Sequence, residues 1–338
     1  MHKIGLADSE VEQIQALLDG LADGFDSAED DDFLRQAAIL AHELPRRLRI
    51  HLTDFRLLEP TAAICQISGY PVDAAKIGPT PLHWKHRTRP SPTLREEMLF
   101  VLCASLLGEP IGWSTQQDGR IVHDLCPIPE HEKEQIGTGS EQDIWWHTED
   151  AFHPLRGDYI GMMCLRNSDR VPTTFANLEN LGLTAEELRH LARPVFPIRP
   201  DHSHRLVNKV NGEGDAALLA AYQEIEQMSA EPLRIAVLEG DLKAPYIRLD
   251  PYFMEPAEDP EARRAFERLT EVLDARLGEV LLEPGDICFF DNFQSVHGRR
   301  SFKARYDGTD RWMKRINVTR DLRRSRAARR SPESRVIY

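Results

Sequence analysis

Short segments rich in β-branched and aromatic residues, broken by glycine, proline and aspartate, recur from about residue 111 to residue 302. They read IGWSTQQDGRIVHDL, DIWWHTEDAF, YIGMMCLRN, TTFANL, PYIRLDPYFM, EVLLEPGDICFFDN and SVHGRRSF. Short strands repeated between turn residues are typical of an all-β sandwich or barrel. We therefore predict a mainly β fold with flanking helices, built on a double-stranded β-helix core of the jelly-roll, cupin-like kind.

Helical periodicity occupies the N-terminal part of the chain and one later segment. Apolar residues at helical spacing follow Asp8, and a second helical run is ended or bent at Pro45. TLREEMLFVLCASLLGEP predicts a further helix that stops near Gly108, and PEARRAFERLTEVLDARLG predicts one between strands. We expect a single domain over residues 1–338, with a mainly helical part over 1–110, a jelly-roll core over 111–320, a helical insertion near 258–278 and a C-terminal extension over 321–338.

The composition argues against several functional classes. No apolar run is long enough to span a membrane, and the N-terminus lacks an apolar leader, so we expect a cytoplasmic protein with no membrane partner. The net charge is −13, and no aromatic residues interleave the arginines between 299 and 335 in a nucleic-acid-binding pattern, so we expect no nucleic-acid partner. The five cysteines contain no CxxC pair, which favours reduced, buried thiols over zinc ligands.

The segment WWHTEDAFHP contains a histidine two residues before a glutamate. In a strand, His147 and Glu149 point to the same side and offer two metal ligands there. The pattern is weak alone, but His297, in DNFQSVHGRRSF, supplies a third ligand at the start of another strand. Two imidazoles and one carboxylate leave positions open on non-haem Fe(II) for a cosubstrate and O₂. Arg311 lies fourteen residues beyond His297, and its planar guanidinium can bind a dicarboxylate through two parallel hydrogen bonds.

With these motifs in this order, the chain resembles the clavaminate synthase-like family of Fe(II)/2-oxoglutarate-dependent oxygenases. The resemblance runs from about Phe33 to Tyr338 and is densest in IGWSTQQDG, WHTEDAFHPLRGDYIGMMCLRN, LEPGDICFFDNFQSVHGRRSF and ARYDGTDRWMKRINVTRDLRRSR. Within the family, the chain is similar to the branch that hydroxylates free amino acids, above all to enduracididine and arginine β-hydroxylases. The resemblance implies Fe(II), 2-oxoglutarate and O₂, with a small amino acid as the substrate.

The resemblance also implies which residues hold the metal and the cosubstrate. His147, Glu149 and His297 match the metal ligands of the family. Arg311 matches the residue that pairs with the distal carboxylate of 2-oxoglutarate, and Thr174 matches a hydroxyl that supports this contact.

Three further positions are implied to bind the amino acid. Arg315 matches a residue that faces the substrate α-carboxylate. Gln116 resembles a contact to the amino group, and Gln117 is nearly as eligible. Asp250 falls where arginine hydroxylases hold the end of the side chain, but Pro251 follows where some of them have a second acid. This departure leaves citrulline, lysine or a cyclic guanidine open beside arginine.

Other functions stay open at this stage. A lysine hydroxylase of the same family is one alternative, and a non-catalytic jelly-roll protein that binds a small molecule is another. Glu149 argues against a radical halogenase, in which a small residue replaces the carboxylate to make room for halide. Several nearby side chains are expected to pack, position or hydrogen-bond rather than bind a ligand: His153, Asp150, Arg299, Arg300, Trp145 and Trp146.

Overall fold

The computed structural model describes residues 2–205 and 215–338. The helices are α1 (Asp8–Ala22), α2 (Asp31–Leu40), α3 (Arg46–Leu58), α4 (Ala74–Ile77), α5 (Leu94–Ser105), α6 (Ala185–Leu191), α7 (Ala216–Ala230) and α8 (Pro260–Asp274). The strands are β1 (His2–Gly5), β2 (Ile64–Ser68), β3 (Glu109–Trp113), β4 (Val122–Leu125), β5 (Ile144–His147), β6 (Tyr159–Arg166), β7 (Thr173–Asn177), β8 (Phe196–Ile198), β9 (Leu233–Ile235), β10 (Leu238–Glu239), β11 (Tyr246–Ile247), β12 (Gly278–Val280), β13 (Ile287–Asp291), β14 (Ser295–Arg299), β15 (Trp312–Thr319) and β16 (Val336–Ile337).

Two sheets form the centre of the fold. The larger has the strand order β1-β2-β13-β6-β15-β3-β16, with β4 also paired to β15, and the smaller has the order β12-β7-β14-β5. Their inner faces pack together through an apolar cluster that includes Met162 and Phe290 of the larger sheet and Val280 of the smaller. The sheets face each other without closing into a barrel, so the predicted sheet-rich, jelly-roll class with flanking helices is confirmed.

Helices cover the outer faces of both sheets. Apolar residues of α1, α2, α3 and α5 pack on the larger sheet, around Phe33, Phe55 and Phe100. Residues of α6, α7 and α8 pack on the smaller sheet, around Leu191 and Leu269. Each sheet is therefore buried on both sides, which explains why β6 and β15 read as nearly continuous apolar or buried runs.

The helix predictions were right in place but incomplete. The second predicted run is divided in two, because Pro45 lies between α2 and α3 and cannot continue a helix. The helices α6 and α7 were not predicted from the sequence. The strands β1 and β2, from the N-terminal part, join the larger sheet, and β16 in the C-terminal extension pairs with β3. The single-domain division itself stays a prediction.

Alternation along β15 positions both a buried charge network and the site. Met313 faces the inner apolar cluster, whereas Ile316 and Val318 pack with the helices outside. Lys314 also points outward and pairs with Glu97 of α5. Arg311, Met313 and Arg315 therefore share the side that faces the smaller sheet.

The structure also bears on the expectations for the cysteines and for membrane-spanning helices. All five cysteines are buried and unpaired, as predicted: Cys65, Cys103, Cys126, Cys164 and Cys288. Among the described helices, none combines the length and the apolar character that crossing a membrane requires.

Candidate active site between the two sheets

Two neighbouring strands of the smaller sheet bring the predicted histidines together. His147 ends β5 and lies directly opposite His297 of β14 in the antiparallel register. Their ring centroids are 4.7 Å apart. Glu149 lies just past the end of β5, and its Oε2 is 3.7 Å from His147 Nε2 and 3.4 Å from His297 Nε2. The three donor atoms surround one point and could hold one metal ion.

Neighbouring groups orient these donor atoms. His147 Nδ1 lies 2.8 Å from the carbonyl oxygen of Trp145, to which it donates, and this leaves Nε2 as the lone-pair nitrogen. Arg315 donates to Oε1 of Glu149, which leaves Oε2 for a metal. Burial alone would raise the pKa of Glu149, but Arg315 and the two histidines hold it well below its usual value. The set is thus two imidazoles and an ionised carboxylate, which fits a non-haem Fe(II) site.

A cavity of about 780 Å³, counting its opening to solvent, adjoins this triad. Arginines and apolar residues of the larger sheet line one side, and the triad lines the other. The cavity wall includes His147, Glu149, His297, Arg311, Arg315, Thr173, Met162, Leu125, Trp145, Asp201, Asp250 and Arg299.

Arg311 is a buried cation with no counter-ion among the described residues. It is 5% exposed, and no ion pair joins it to an acid in the described part of the chain. Its Nε has no hydrogen-bond partner there, and its Nη2 lies 3.5 Å from Thr173 Oγ1, at the limit of a hydrogen bond. Burial lowers the pKa of Arg311 to about 10. A buried guanidinium in this state favours an anionic ligand.

The hydroxyl beside Arg311 belongs to Thr173, not to Thr174 as predicted. On β7, Thr174 pairs with Gly298 and Thr173 pairs with Arg299. Successive side chains of a strand point to opposite faces, so only one of two adjacent threonines can face the cavity. Thr173 lines the cavity, and the Oγ1 of Thr174 lies against Gly298 instead.

Arg315 and Gln116 form one hydrogen-bonded chain. Arg315 Nη2 donates to Gln116 Oε1 at 2.8 Å and lies 2.7 Å from His123 Nδ1. Gln116 therefore contacts a cavity-lining arginine, although it does not itself line the cavity. Gln117 turns away, and its amide exchanges hydrogen bonds of 3.0 and 3.1 Å with the backbone of Asp124. The predicted contacts of Arg315 and Gln116 to an amino acid stay predictions.

Asp250 lines the cavity as expected, and it is accompanied by a second acid that the sequence analysis missed. Burial raises the pKa of Asp250 to about 6, against the opposing charge of His147, and the nearby Asp201 raises it further. Asp201 lines the same cavity. Asp250 is thus not the lone acid that the following Pro251 suggested. The signal was the polar run RPDHSHR directly after β8, which was passed over because it is remote from Asp250 in the sequence.

Of the residues expected to be structural, His153 and Arg300 do not line the cavity, whereas Arg299 does. His153 is buried against Trp113, with ring centroids 4.4 Å apart, and Arg300 lies outside the cavity wall. Arg299 is buried and donates to the carbonyl oxygens of Gly139 and Gln142, so it holds a cavity loop in place.

The tryptophan pair was predicted wrongly in part. Trp146 is buried in the core beneath the smaller sheet, as expected. Trp145 is 40% exposed and lines the cavity, because adjacent residues of β5 face opposite sides.

Comparisons with known proteins agree with this site. Residues 169–317 match the model of the taurine catabolism dioxygenase TauD, TfdA family. The chain is 44% identical to an enduracididine beta-hydroxylase of Streptomyces hygroscopicus and 44% identical to an L-ornithine/L-arginine 3-hydroxylase of Catenulispora acidiphila, over the full length of both chains in each case. It also matches a crystal structure of the non-heme iron oxygenase OrfP in complex with Fe, succinate and (3S)-hydroxy-L-Arg. That match has a TM-score of 0.94 and 44% identity, and it covers 99% of each chain.

A triad of two histidines and one carboxylate at the mouth of a two-sheet fold is typical of a non-haem iron oxygenase. The chain belongs to the clavaminate synthase-like group of the TauD/TfdA family, the 2-oxoglutarate-dependent dioxygenases, in its amino-acid hydroxylase branch. The predicted family and enzyme class are confirmed, and the alternative of a non-catalytic binding protein is wrong.

Proposed function

We propose that the protein hydroxylates the β-carbon of a free L-amino acid whose long side chain ends in a cationic group, with L-arginine or a close analogue as the preferred substrate. One oxygen atom of O₂ enters the amino acid and the other enters succinate, which forms from 2-oxoglutarate with loss of CO₂. The names of the two full-length relatives, which act on enduracididine and on ornithine or arginine, support this substrate class.

The metal ligands we propose are His147, Glu149 and His297. Their donor set fits Fe(II), and OrfP binds Fe and alpha-ketoglutaric acid in a crystal structure that matches this chain with a TM-score of 0.88. When bound, the iron and 2-oxoglutarate supply the oxidising power for attack on an unactivated C–H bond. We assign the distal carboxylate of 2-oxoglutarate to Arg311, with Thr173 beside it, because this buried cation has no acid partner in the described structure.

The substrate assignment depends on one observation above all, the presence of Asp250 and Asp201 in the wall of the cavity that holds the triad. Two carboxylates can bind the several N–H donors of a guanidinium, and a buried carboxylate such as that of Asp250 is costly without a cation nearby. A leucine side chain would offer both carboxylates no donor, and a glutamate side chain would be repelled by them. An ornithine or lysine ammonium would satisfy the charge but offers fewer, undirected donors.

The protein's own contribution is to orient the amino acid and exclude water. We assign the substrate α-carboxylate to Arg315, which lies on the cavity side of β15, and the amino group to Gln116, which is hydrogen-bonded to Arg315. Met162 and Leu125 close the floor of the cavity with apolar surface. A substrate held at both ends presents one short stretch of its chain to the metal, which restricts the reaction to one carbon.

A panel of free amino acids tests the proposal. Purified enzyme with Fe(II), 2-oxoglutarate and ascorbate is given arginine, ornithine, lysine, citrulline, leucine and glutamate, and products are read by mass for one added oxygen and by succinate yield. Arginine should react best, and its neutral isostere citrulline should react less well. In a double Asp250→Asn, Asp201→Asn variant, that order should reverse. The proposal is wrong if no basic amino acid gains oxygen, or if arginine and citrulline react equally in parent and variant.

A further inference from the structure

The second acid of the cavity, Asp201, begins a short 3₁₀ turn over His202–His204. Its Oδ1 accepts hydrogen bonds from the backbone nitrogen of Ser203 at 2.8 Å and from Ser203 Oγ at 2.5 Å. The position of this carboxylate is therefore tied to the turn, and whatever holds the turn also holds Asp201 in the cavity.

His204 anchors the turn to the core. Its side chain is buried, with 1% of its surface exposed. Its Nδ1 lies 2.6 Å from Thr115 Oγ1, and its Nε2 lies 3.1 Å from Asp150 Oδ1. The ring also packs edge-on against Trp113 and Phe152. Both ring nitrogens are thus engaged, which fixes the orientation of the imidazole.

Asp150 is itself held rigidly. It directly follows Glu149, and its φ of +51° lies in the left-handed region that residues other than glycine rarely adopt. Its Oδ2 accepts hydrogen bonds from Trp113 Nε1 at 2.5 Å and from Asn317 Nδ2 at 3.2 Å. Such a strained conformation persists only where surrounding contacts determine it, and it is common at functional sites.

We propose that Asp150 and His204 are positioning residues, a buried pair that fixes Asp201 beside the metal-ligand turn and so sets the preference for a cationic side-chain end. This inference rests on the proposed function and deepens it. The donor atoms of Asp150, His204 and Asp201 also lie close enough to hold a metal ion. However, the 3.1 Å contact is a hydrogen-bond distance, and both oxygens of Asp150 already accept donors, so the pair is joined by a proton.

A second connection leads from the same turn to the metal ligand. Ser203 Oγ accepts a hydrogen bond of 2.6 Å from Gln116 Nε2. Gln116 Oε1 in turn accepts a hydrogen bond from Arg315, which also donates one to Glu149. The turn is thus attached at two points to the residues that surround the triad. Loss of the His204 anchor leaves the Gln116 contact, so the turn should shift while the metal site stays intact.

A double-mutant cycle on the iron-loaded enzyme tests the inference, with His204→Ala and Asp201→Ala made singly and together. His204→Ala should raise the KM for arginine about tenfold or more, as expected for one lost buried hydrogen bond to a charged group, and leave the KM for 2-oxoglutarate unchanged. If His204 acts by holding Asp201, the double variant should match Asp201→Ala within about twofold. Citrulline, which lacks the cation, should be affected less by each change.

Two further variants separate positioning from a general loss of structure. His153→Gln alters a second buried histidine, which packs against Trp113. This histidine contacts Asp150 through its backbone N–H, and its ring nitrogen Nδ1 accepts from Leu155 instead, so the change should leave the arginine KM at the parental value. Thr115→Val removes only the partner of His204 Nδ1, nearly without change of shape, and should raise the arginine KM in the same direction as His204→Ala. Amide hydrogen exchange should increase at 201–205 in both anchor variants and not in His153→Gln.

The outcomes are distinct from those of the proposed function. If the parent enzyme oxidises no basic amino acid, the proposed function fails. If the parent oxidises arginine but the effects of His204→Ala and Asp201→Ala multiply independently, only the positioning role is overturned. Unchanged arginine KM values in both His204→Ala and Thr115→Val would overturn it as well.

Discussion

Replacing Arg311 with methionine should weaken 2-oxoglutarate binding and, at the same time, stabilise the unliganded fold. Arg311 is 5% exposed and has no ion pair in the described residues, so its charge is buried at a cost until an anion binds. Burial lowers its pKa to about 10. Removing one partner of a buried charged pair costs about 3–5 kcal/mol, which corresponds to a rise in the KM for 2-oxoglutarate of about a hundredfold or more.

Arg311→Met should stabilise the unliganded enzyme although it weakens 2-oxoglutarate binding, because the buried charge has an anion to pair with only when 2-oxoglutarate is bound. Without an anion, burial lowers the Arg311 pKa from its usual range to about 10, which corresponds to roughly 3 kcal/mol of unfavourable burial at about 1.4 kcal/mol per pKa unit. Methionine retains the apolar stem without the charge. Arg311→Met should therefore melt at the same or a higher temperature than the parent when unliganded.

Two assays test the expected rise in the KM for 2-oxoglutarate and the expected gain in stability of the unliganded enzyme. Succinate formation at varied 2-oxoglutarate gives the KM, and thermal unfolding with and without 2-oxoglutarate gives the ligand's stabilisation, which should disappear in Arg311→Met. Arg311→Lys should restore binding only partly, because an ammonium lacks the two-pronged geometry. Arg305→Met is the control, since Arg305 is exposed and paired with Asp169.

Either of two results would refute this reasoning. An unchanged KM for 2-oxoglutarate would move the role to Arg299, another buried guanidinium in the cavity wall and one without an acid partner among the described residues. A clear loss of stability in unliganded Arg311→Met would mean that the burial of this charge is compensated in the free enzyme.

Three further predictions concern the metal, the substrate and the fold. His297→Ala should lower both bound iron and succinate formation to background, and a full iron content would disprove its role as a ligand. The KM for arginine should rise as pH falls through about 6, because burial raises the pKa of Asp250 to about 6 and the protonated acid cannot attract a cation. Asp250→Asn should remove this rise in KM, and an unaltered pH profile in that variant would assign the titration to another group. Lys314→Met should lower the free energy of urea unfolding by about 3–5 kcal/mol, since it removes the ion pair of buried Asp124 and leaves Glu97 paired with Arg87 alone. In the parent, the positive charges of Lys314 and Arg87 outweigh burial and hold the pKa of Glu97 at about 2. The stability contributed by this ionised acid is therefore present above its usual pKa of 4.5 and is lost as pH falls toward about 2. Equal acid sensitivity of the parent and Lys314→Met would contradict this.

Local patterns in the sequence determined much of what the structure contains. The two-residue spacing predicted that His147 and Glu149 lie together, and they do, although the strand ends at His147 and Glu149 follows it. The order of the motifs predicted that His297 and Arg311 belong to the same site. Both inferences depend on side-chain periodicity and on donor chemistry, which are properties of short segments. The N-terminal helices and the break at Pro45 follow from equally local rules.

The tertiary structure decided what depends on register or on distant turns. Thr173 rather than Thr174 faces Arg311 because the pairing of β7 with β14 fixes which face is inside, and a shift of one residue would exchange them. Asp201 reaches the cavity beside Asp250 only because a turn after β8 is anchored by His204 to Asp150. Such contacts join segments far apart in sequence, and their geometry follows from the packing of the whole chain, so no short stretch of sequence encodes them alone.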